Sequence, residues 1–258
     1  MKKFLIILAF LALLIFIAFL VVDEDLPVAE KGPEAEELTD KMFASLNKPA
    51  WDSLAFIRWS FRDAHHYIWN KEKEQASISW DDYQVLMDLN EISGQAYQSG
   101  TPLTGSENDE ALKKAWSYWC NDSFWLIAPF KARDPGTVRK YLKLDDGLDG
   151  LLVQYESGGV TPGDAYLWGI SEDGIPQYYK MWVSIIPIGG VKATWDNWKK
   201  FESVKISTKH KLGPLDIPVG DIQAGKSLDE IGADTKLFSP LNSQTANRMS
   251  TCSIPSHR

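Results

Sequence analysis

Short segments in which every second residue is apolar constrain the fold of this chain more than any other feature of its sequence. In residues 55–61 the side chains of Ile57, Trp59 and Phe61 fall on one face of an extended chain, and Arg58 falls on the other. That period of two predicts a β-strand with one buried and one solvated face. Further segments with strand and turn signals cover residues 65–69, 77–80, 83–89, 138–144, 151–156, 165–171, 178–186, 191–195 and 204–209.

Two other segments repeat their apolar residues with the 3.6-residue period of an α-helix. The first covers residues 34–46 and opens with acidic side chains, which the helix dipole favours. The second follows Ser106 and has an unusually aromatic apolar face. The apolar stripes are Ala35, Leu38, Met42 and Leu46 in the first helix, and Leu112, Ala115, Trp116, Trp119 and Cys120 in the second.

These elements predict an α+β fold. The pattern gives about nine to eleven antiparallel strands, and a single flat sheet of that size curls or splits. We therefore predict a strongly curved antiparallel sheet, an open or half β-barrel, with a leading helix and an inserted helix. The predicted division of the chain is an anchor or signal segment at residues 1–22, a linker at 23–33, an open-barrel domain at 34–223, and a C-terminal extension at 224–258 that is largely disordered from about residue 242.

The N-terminus contains an unbroken run of 19 apolar residues, from position 4 to position 22. As a helix this run is about 28 Å long, close to the thickness of a bilayer's hydrocarbon core. Lys2 and Lys3 precede the run and Asp23 follows it, so the positive-inside rule leaves the N-terminus in the cytoplasm. We therefore predict a single-pass inner-membrane protein whose body lies on the periplasmic side. The alternative is a cleaved signal peptide, which would leave a soluble periplasmic body.

Composition excludes several classes of protein. With 258 residues, 44% of them hydrophobic and 24% charged, the chain resembles an ordinary globular protein and not a low-complexity or disulfide-scaffold sequence. The net charge of −8, without a basic stripe, argues against a nucleic-acid partner. Cys120 and Cys252 are too few for a disulfide framework or a zinc half-site.

A cluster of titratable residues, Asp63, His65 and His66, offers the alternative of a metal or acid–base site. Adjacent side chains of a strand point to opposite faces, so the two histidines cannot both bind one ion from the same side. His210 could join one of them only through a tertiary contact. The glycines of residues 158–164 lack the spacing of a phosphate-binding loop and predict a turn. No serine-hydrolase or zinc-protease motif occurs, so we predict no metal, no cofactor and no enzymatic activity.

Aromatic and aliphatic residues on the predicted inner faces could form either a packed core or the wall of an apolar cavity. The candidate lining residues are Ile57, Trp59, Trp69, Trp80, Val85, Met87, Trp116, Trp119, Tyr166, Trp168 and Trp182. Trp59 from the sheet and Trp119 from the inserted helix are expected to face the same interior. Four polar residues next to apolar runs are candidates for a polar rim, namely Asn121, Asp122, Lys131 and Asp134.

Several motifs carry a resemblance to a known group of proteins. They are residues 51–59 with 66–69, Asn121-Asp122-Ser123-Phe124-Trp125-Leu126 with 129–131 and 134–136, the stretch 158–166, Thr194-Trp195-Asp196-Asn197-Trp198, and Ser207-Thr208-Lys209-His210. The chain resembles an uncharacterised family of exported bacterial proteins. The order of its elements is similar to the outer-membrane lipoprotein carrier fold. That resemblance implies an open barrel with helices across its mouth and a cavity for acyl chains, and it supplies no catalytic residue.

Three functions follow as hypotheses. The first is a membrane-tethered, exported domain that holds an acyl chain or another apolar small molecule in a half-barrel cavity. The second is an envelope scaffold with a filled core and a protein partner that the sequence does not identify. The third is a hydrolase whose site residues meet only in the folded chain.

Overall fold

The computed structural model describes residues 23–157 and 162–242 of the chain. The predicted anchor or signal segment at 4–22, most of the predicted turn at 158–164, Cys252 and most of the predicted disordered tail lie outside these residues. Within the described ranges, no helix has both the length and the hydropathy needed to cross a membrane.

The structure is α+β, as predicted. Its helices are α1 (Pro33–Leu46), α2 (Lys48–Ser53), α3 (Gly105–Asp122) and α4 (Phe124–Ile127), followed by a 3₁₀ turn at Ala128–Lys131. Its strands are β1 (Phe56–Phe61), β2 (His65–Asn70), β3 (Gln75–Trp80), β4 (Tyr83–Asp88), β5 (Ser93–Gln98), β6 (Thr101–Pro102), β7 (Thr137–Lys143), β8 (Asp149–Tyr155), β9 (Ala165–Ile170), β10 (Pro176–Trp182), β11 (Val191–Thr194), β12 (Asp196–Phe201), β13 (Val204–Leu212) and β14 (Leu215–Gly225).

Hydrogen bonds join the strands into one antiparallel sheet of 14 strands. The strand order is β6-β5-β4-β3-β2-β1-β14-β13-β11-β10-β9-β8-β7, and β12 pairs with β13 off this path. Because β6 and β7 are the two ends of the order, the sheet is not closed, in agreement with the predicted open sheet. The expected number of about nine to eleven strands is too low.

The missed strands have physical explanations. Strand β5 buries only Ala96 completely, and β12 buries none of its residues, so neither shows an apolar face in the sequence. Strand β14 does alternate, with Ile217 and Val219 buried, but Asp221 has a positive φ of 47° and the register with β1 shifts nearby. Such a bulge disrupts the two-residue period on which the prediction depends.

Contacts divide the described residues into two compact units. Unit 1 contains residues 23–46, 129–157, 162–196 and 211–216, and unit 2 contains residues 47–128, 197–210 and 217–242. In unit 1, helix α1 packs on β7 and β8 through Leu38, Met42 and Leu46. In unit 2, helix α3 packs on β3, β4 and β5.

Two segments outside the sheet also contact it. Residues 23–30 of unit 1, named the strap here, pair with β7 where the backbones of Glu30 and Tyr141 exchange hydrogen bonds of 2.9 and 2.8 Å. In unit 2, residues beyond β14 pack against Leu86 of β4. The buried members of that cluster are Leu228, Ile231, Phe238 and Leu241.

Candidate functional site

The predicted lining residues belong to both units. Unit 2 holds Ile57, Trp59, Trp69, Trp80, Val85, Met87, Trp116 and Trp119, and unit 1 holds Tyr166, Trp168 and Trp182. The rim candidates are divided as well, with Asn121 and Asp122 in unit 2 and Lys131 and Asp134 in unit 1. Each unit therefore has to be considered by itself.

In unit 2 the aromatic residues contact one another in a buried cluster. The ring of Trp59 on β1 stacks on Tyr67 of β2 with centroids 4.7 Å apart. Trp119 of α3 lies 5.7 Å from Trp59 and 5.4 Å from Trp69, so the predicted contact between sheet and helix is confirmed. Ile57, Val85 and Met87 are also completely buried, whereas Trp116 is half-buried. The rings of Trp59, Tyr67, Trp69 and Trp119 therefore pack against each other as in a core.

A polar cluster lies at the end of α3, next to these rings. Asp122 is buried, and its Oδ2 atom lies 2.6 Å from His65 Nδ1 and accepts a hydrogen bond of 2.5 Å from the Tyr67 hydroxyl. Its Oδ1 atom accepts a bond of 2.7 Å from the Asn121 amide. Burial raises the pKa of Tyr67, and the negative charge of Asp122 raises it further. His65, Tyr67, Asn121 and Asp122 are called the Asp122 cluster below.

The Asp122 cluster resembles part of a catalytic site, because a buried carboxylate that orients an imidazole also occurs in hydrolases. The remaining contacts of Asp122 go to Tyr67 and Asn121, and the imidazole ring of His65 stacks on Tyr118 at 3.9 Å. Within the described residues, no three His, Cys, Asp or Glu side chains form a group able to hold a metal ion. The contact between Asp122 and His65 joins the end of α3 to β2, although the two residues are 57 positions apart in the sequence.

The other rim candidates form a local pair. Lys131 forms a salt bridge with Asp134 in unit 1. Sequence reasoning placed these two residues together with Asn121 and Asp122, but it did not pair Asp122 with His65 or Tyr67. No short-range signal links residues that are 55 and 57 positions apart.

Two of the predicted lining residues, Trp182 and Trp80, each border an open groove. The Trp182 groove, in unit 1, has a volume of about 310 Å³ and mainly apolar walls. It is lined by Pro162, Gly163, Asp164, Trp182, Val183, Ser184, Ile186, Pro187, Ile188 and Gly189. A second groove of about 230 Å³ in unit 2 is more polar and is bordered by Trp80, Tyr83, Glu107, Glu110 and Lys114, among others.

The polar groups of the Trp182 groove are few and fixed. Asp164 is buried, and its Oδ1 atom accepts a hydrogen bond of 3.1 Å from the backbone N–H of Ser184. Burial raises the pKa of nearby Tyr166, and the charge of Asp164 contributes to that rise. An apolar wall with a small number of fixed polar groups is typical of sites that bind small molecules.

Glu24 of the strap contacts the wall of this groove through two bonds to β10. Trp182 packs beside the buried residues Leu152 and Leu167, and its Nε1–H group donates a bond of 2.7 Å to the Glu24 carbonyl. The Glu24 carboxylate forms a salt bridge with Lys180 at 2.6 Å. Glu24, near the N-terminal end of the strap, therefore contacts the groove wall directly.

Two glycines permit this close approach. A Cβ atom at Gly189 would lie 2.3 Å from the Glu24 carbonyl oxygen and 2.5 Å from the Trp182 ring. Gly190 has a φ of +73°, which L side chains rarely adopt, and a Cβ there would meet Glu24 at 2.6 Å. Instead, the Gly189 N–H donates a bond of 2.7 Å to Asp23 Oδ1. The Gly-Gly pair, visible in the sequence as a turn signal, thus also creates the contact with the strap.

Comparison with known proteins gives weak structural similarity. No family model matches the sequence, and a search of curated proteins finds no match. Among solved structures, a DUF1329 family protein from Desulfovibrio piger is similar with a TM-score of 0.34 and 11% identity, over 76% of this chain and 92% of that chain. At this level of similarity, nothing about a ligand or a partner transfers from that protein.

Proposed function

We propose that this chain is an exported domain, anchored in the inner membrane by residues 4–22, that binds an acyl chain or another apolar ligand in the Trp182 groove. The body of the domain lies on the periplasmic side in this proposal. The proposal also includes the half-barrel curvature of the sheet that the sequence predicts. The role is binding and not catalysis, and it requires no metal or cofactor.

The size and chemistry of the groove support a short apolar occupant. Ligand pockets typically have volumes of about 300–1,000 Å³, and the Trp182 groove, at about 310 Å³, is at the lower end of that range. Each CH₂ group that leaves water for such a site contributes about 0.8 kcal/mol, before the cost of ordering the ligand. The groove therefore suits the end of a chain or a small apolar molecule.

The observation that carries the proposal is the hydrogen bond between Trp182 and Glu24. Glu24 is separated from the apolar run at 4–22 by a single residue, and it touches the groove wall directly. A membrane anchor that ends at residue 22 would thus hold the groove close to the lipid from which an acyl ligand would come.

Native mass spectrometry of the full chain, extracted from membranes in detergent, tests this proposal. The expected result is an intact N-terminus and a population of protein that carries an apolar molecule. A matched sample of the Ile186→Asp variant is expected to have lost that molecule. A mature N-terminus near residue 23 would contradict the anchor, and an empty wild-type protein would contradict the ligand.

A scaffold is the second candidate function, because the aromatic cluster of unit 2 is closely packed. Trp59, Tyr67 and Trp119 are buried in contact with each other and present no open wall. An empty wild-type protein that co-purifies with a protein partner would favour this alternative.

A further inference from the structure

The loop that follows β10 exposes apolar side chains to solvent. Residues 184–188 read Ser-Ile-Ile-Pro-Ile and contain no charge. The side chain of Ile185 is 79% exposed, and it does not line the Trp182 groove. Ile186 and Ile188 are half-buried in the groove wall. The loop therefore contributes these two side chains to the groove, whereas the side chain of Ile185 lies outside it. We refer to residues 184–188 as the apolar loop.

Unit 1 has other exposed apolar residues, including Leu215 of β14 at 53%. Besides Ile185, the strap itself exposes Leu26 at 39% and Val28 at 94%. Single exposed apolar residues are common, but an uncharged loop of three isoleucines and a proline beside an open apolar groove is a candidate interaction site. An uncharged apolar surface fits an apolar partner and gains little from a charged one.

The position of the strap specifies that partner. Asp23 Oδ1 lies 2.7 Å from the Gly189 nitrogen, and the backbone N–H of Glu24 donates to the Gly189 carbonyl at 3.2 Å. Asp23 directly follows the predicted apolar run in the chain. A bilayer that holds residues 4–22 would therefore begin close to Gly189 and to the apolar loop that precedes it.

We infer that the apolar loop inserts Ile185 into the interface of the same bilayer that holds the anchor. This inference rests on the anchor of the proposed function and does not depend on whether the groove is occupied. The polar interface of a bilayer is about 5–7 Å thick on each side, and the apolar loop leads directly into Gly189, which is bonded to the first two residues after the anchor. Asp23 and Glu24 give no attraction to anionic headgroups, so apolar area and not charge drives the contact.

The test uses the full chain reconstituted in zwitterionic nanodiscs. A spin label is attached through Ile185→Cys, with Ile92→Cys as the control because Ile92 is an exposed isoleucine of unit 2. Cys120 and Cys252 are first replaced by serine. Alkaline extraction of the same preparations reports separately whether residues 4–22 anchor the chain.

The expected result is a label at 185 that is several-fold less accessible to a water-soluble paramagnet than the label at 92, and more accessible to oxygen. Equal accessibility of the two labels in a chain that resists extraction would overturn the inference and leave the anchor intact. Shielding of position 185 from both reagents would indicate a protein partner or a second copy, and would also overturn it. Extraction of the chain at alkaline pH would show that residues 4–22 do not anchor it, and the inference would then fail together with the proposed anchor.

Discussion

The indole nitrogen of Trp182 donates a hydrogen bond of 2.7 Å to the backbone carbonyl of Glu24. This bond joins the wall of an apolar groove to the second residue after a predicted membrane segment, across 158 positions of sequence. The Asp23–Gly189 and Glu24–Lys180 contacts hold the same part of the strap. Together these contacts fix the start of the strap against β10 and the loop that follows it.

The first prediction concerns Gly189→Ala. The added Cβ would lie 2.3 Å from the Glu24 carbonyl oxygen, which real contacts do not allow, so the strap must shift away from the groove. Hydrogen exchange is expected to accelerate at the amides of Glu24 and Gly189. The control is Gly147→Ala, where φ is +86° but nothing lies within 4 Å of the added atom. Unchanged exchange in the Gly189 variant would mean that the strap does not depend on this approach.

The second prediction concerns Asp122→Asn. The carboxylate offers two oxygens to three neighbours, and the amide would place an NH₂ group against one of them. A buried polar group left without its partner costs about 1–3 kcal/mol of unfolding free energy. Urea unfolding followed by tryptophan fluorescence measures that loss. Asp134→Asn, which breaks only the partly exposed pair with Lys131, is the control and should cost at most about 1 kcal/mol.

The third prediction distinguishes a core from a cavity wall in unit 2. Trp119 is buried against Trp59, Tyr67 and Trp69, so Trp119→Ala should lower the free energy of unfolding by about 3–5 kcal/mol. Trp116→Ala, on the same helix but half-buried, should cost clearly less. If the Trp119 variant were as stable as wild type but bound an apolar probe more weakly, unit 2 would hold the ligand instead.

The fourth prediction is a pH dependence from Lys71. Its ammonium group donates to the Trp51 carbonyl and lies 4.1 Å from the centre of the Trp51 ring. Burial lowers the pKa of Lys71 to about 8, from an ordinary value of 10.5. Between these two pH values the unfolded chain binds more protons than the folded one, so this group makes stability rise with pH.

Two measurements check the Lys71 prediction. Carbon-13 NMR of the reductively methylated protein should show one lysine that titrates near pH 8. The rise in unfolding free energy above that pH should be smaller in Lys71→Met than in wild type, whereas Lys211→Met, at an exposed position, should keep it. A Lys71 signal that titrates with the surface lysines would refute the prediction.

The sequence predicts the fold where one face of an element is clearly apolar. The alternation of Ile57, Trp59 and Phe61 and the stripe that contains Trp119 are sufficient to predict β1, α3 and their contact. Strands β5 and β12 could not be predicted because few or none of their side chains are completely buried. The tertiary pairs Asp122–His65 and Glu24–Trp182 join residues far apart in sequence, and no periodicity encodes them.

For the candidate site, sequence reasoning selected Trp182 as one of many aromatic residues but not the groove beside it. The remaining wall comes from residues 162–164 and from residues 183–189 without Ile185. The sequence pattern predicts a strand over the first half of the residues in the second segment. Their apolar character indicated burial, whereas β10 ends at Trp182 and the chain then forms a loop. A Gly-Gly signal after an Ile-Pro-Ile sequence marks the turn, but only the structure places it against the strap.

The central claim is that the Trp182 groove binds an apolar ligand, and probe binding to Ile186→Asp tests it most directly. Ile186 is partly exposed in the groove wall, so a carboxylate there should leave the fold intact while placing a charge beside the ligand. Titration of the full chain in nanodiscs with a fluorescent fatty acid should give saturable binding. We expect Ile186→Asp to weaken it by about tenfold or more, and the exposed control Ile92→Asp to leave it unchanged. Equal affinity in the wild type and the Ile186 variant, or no saturable binding by the wild type, would contradict the claim.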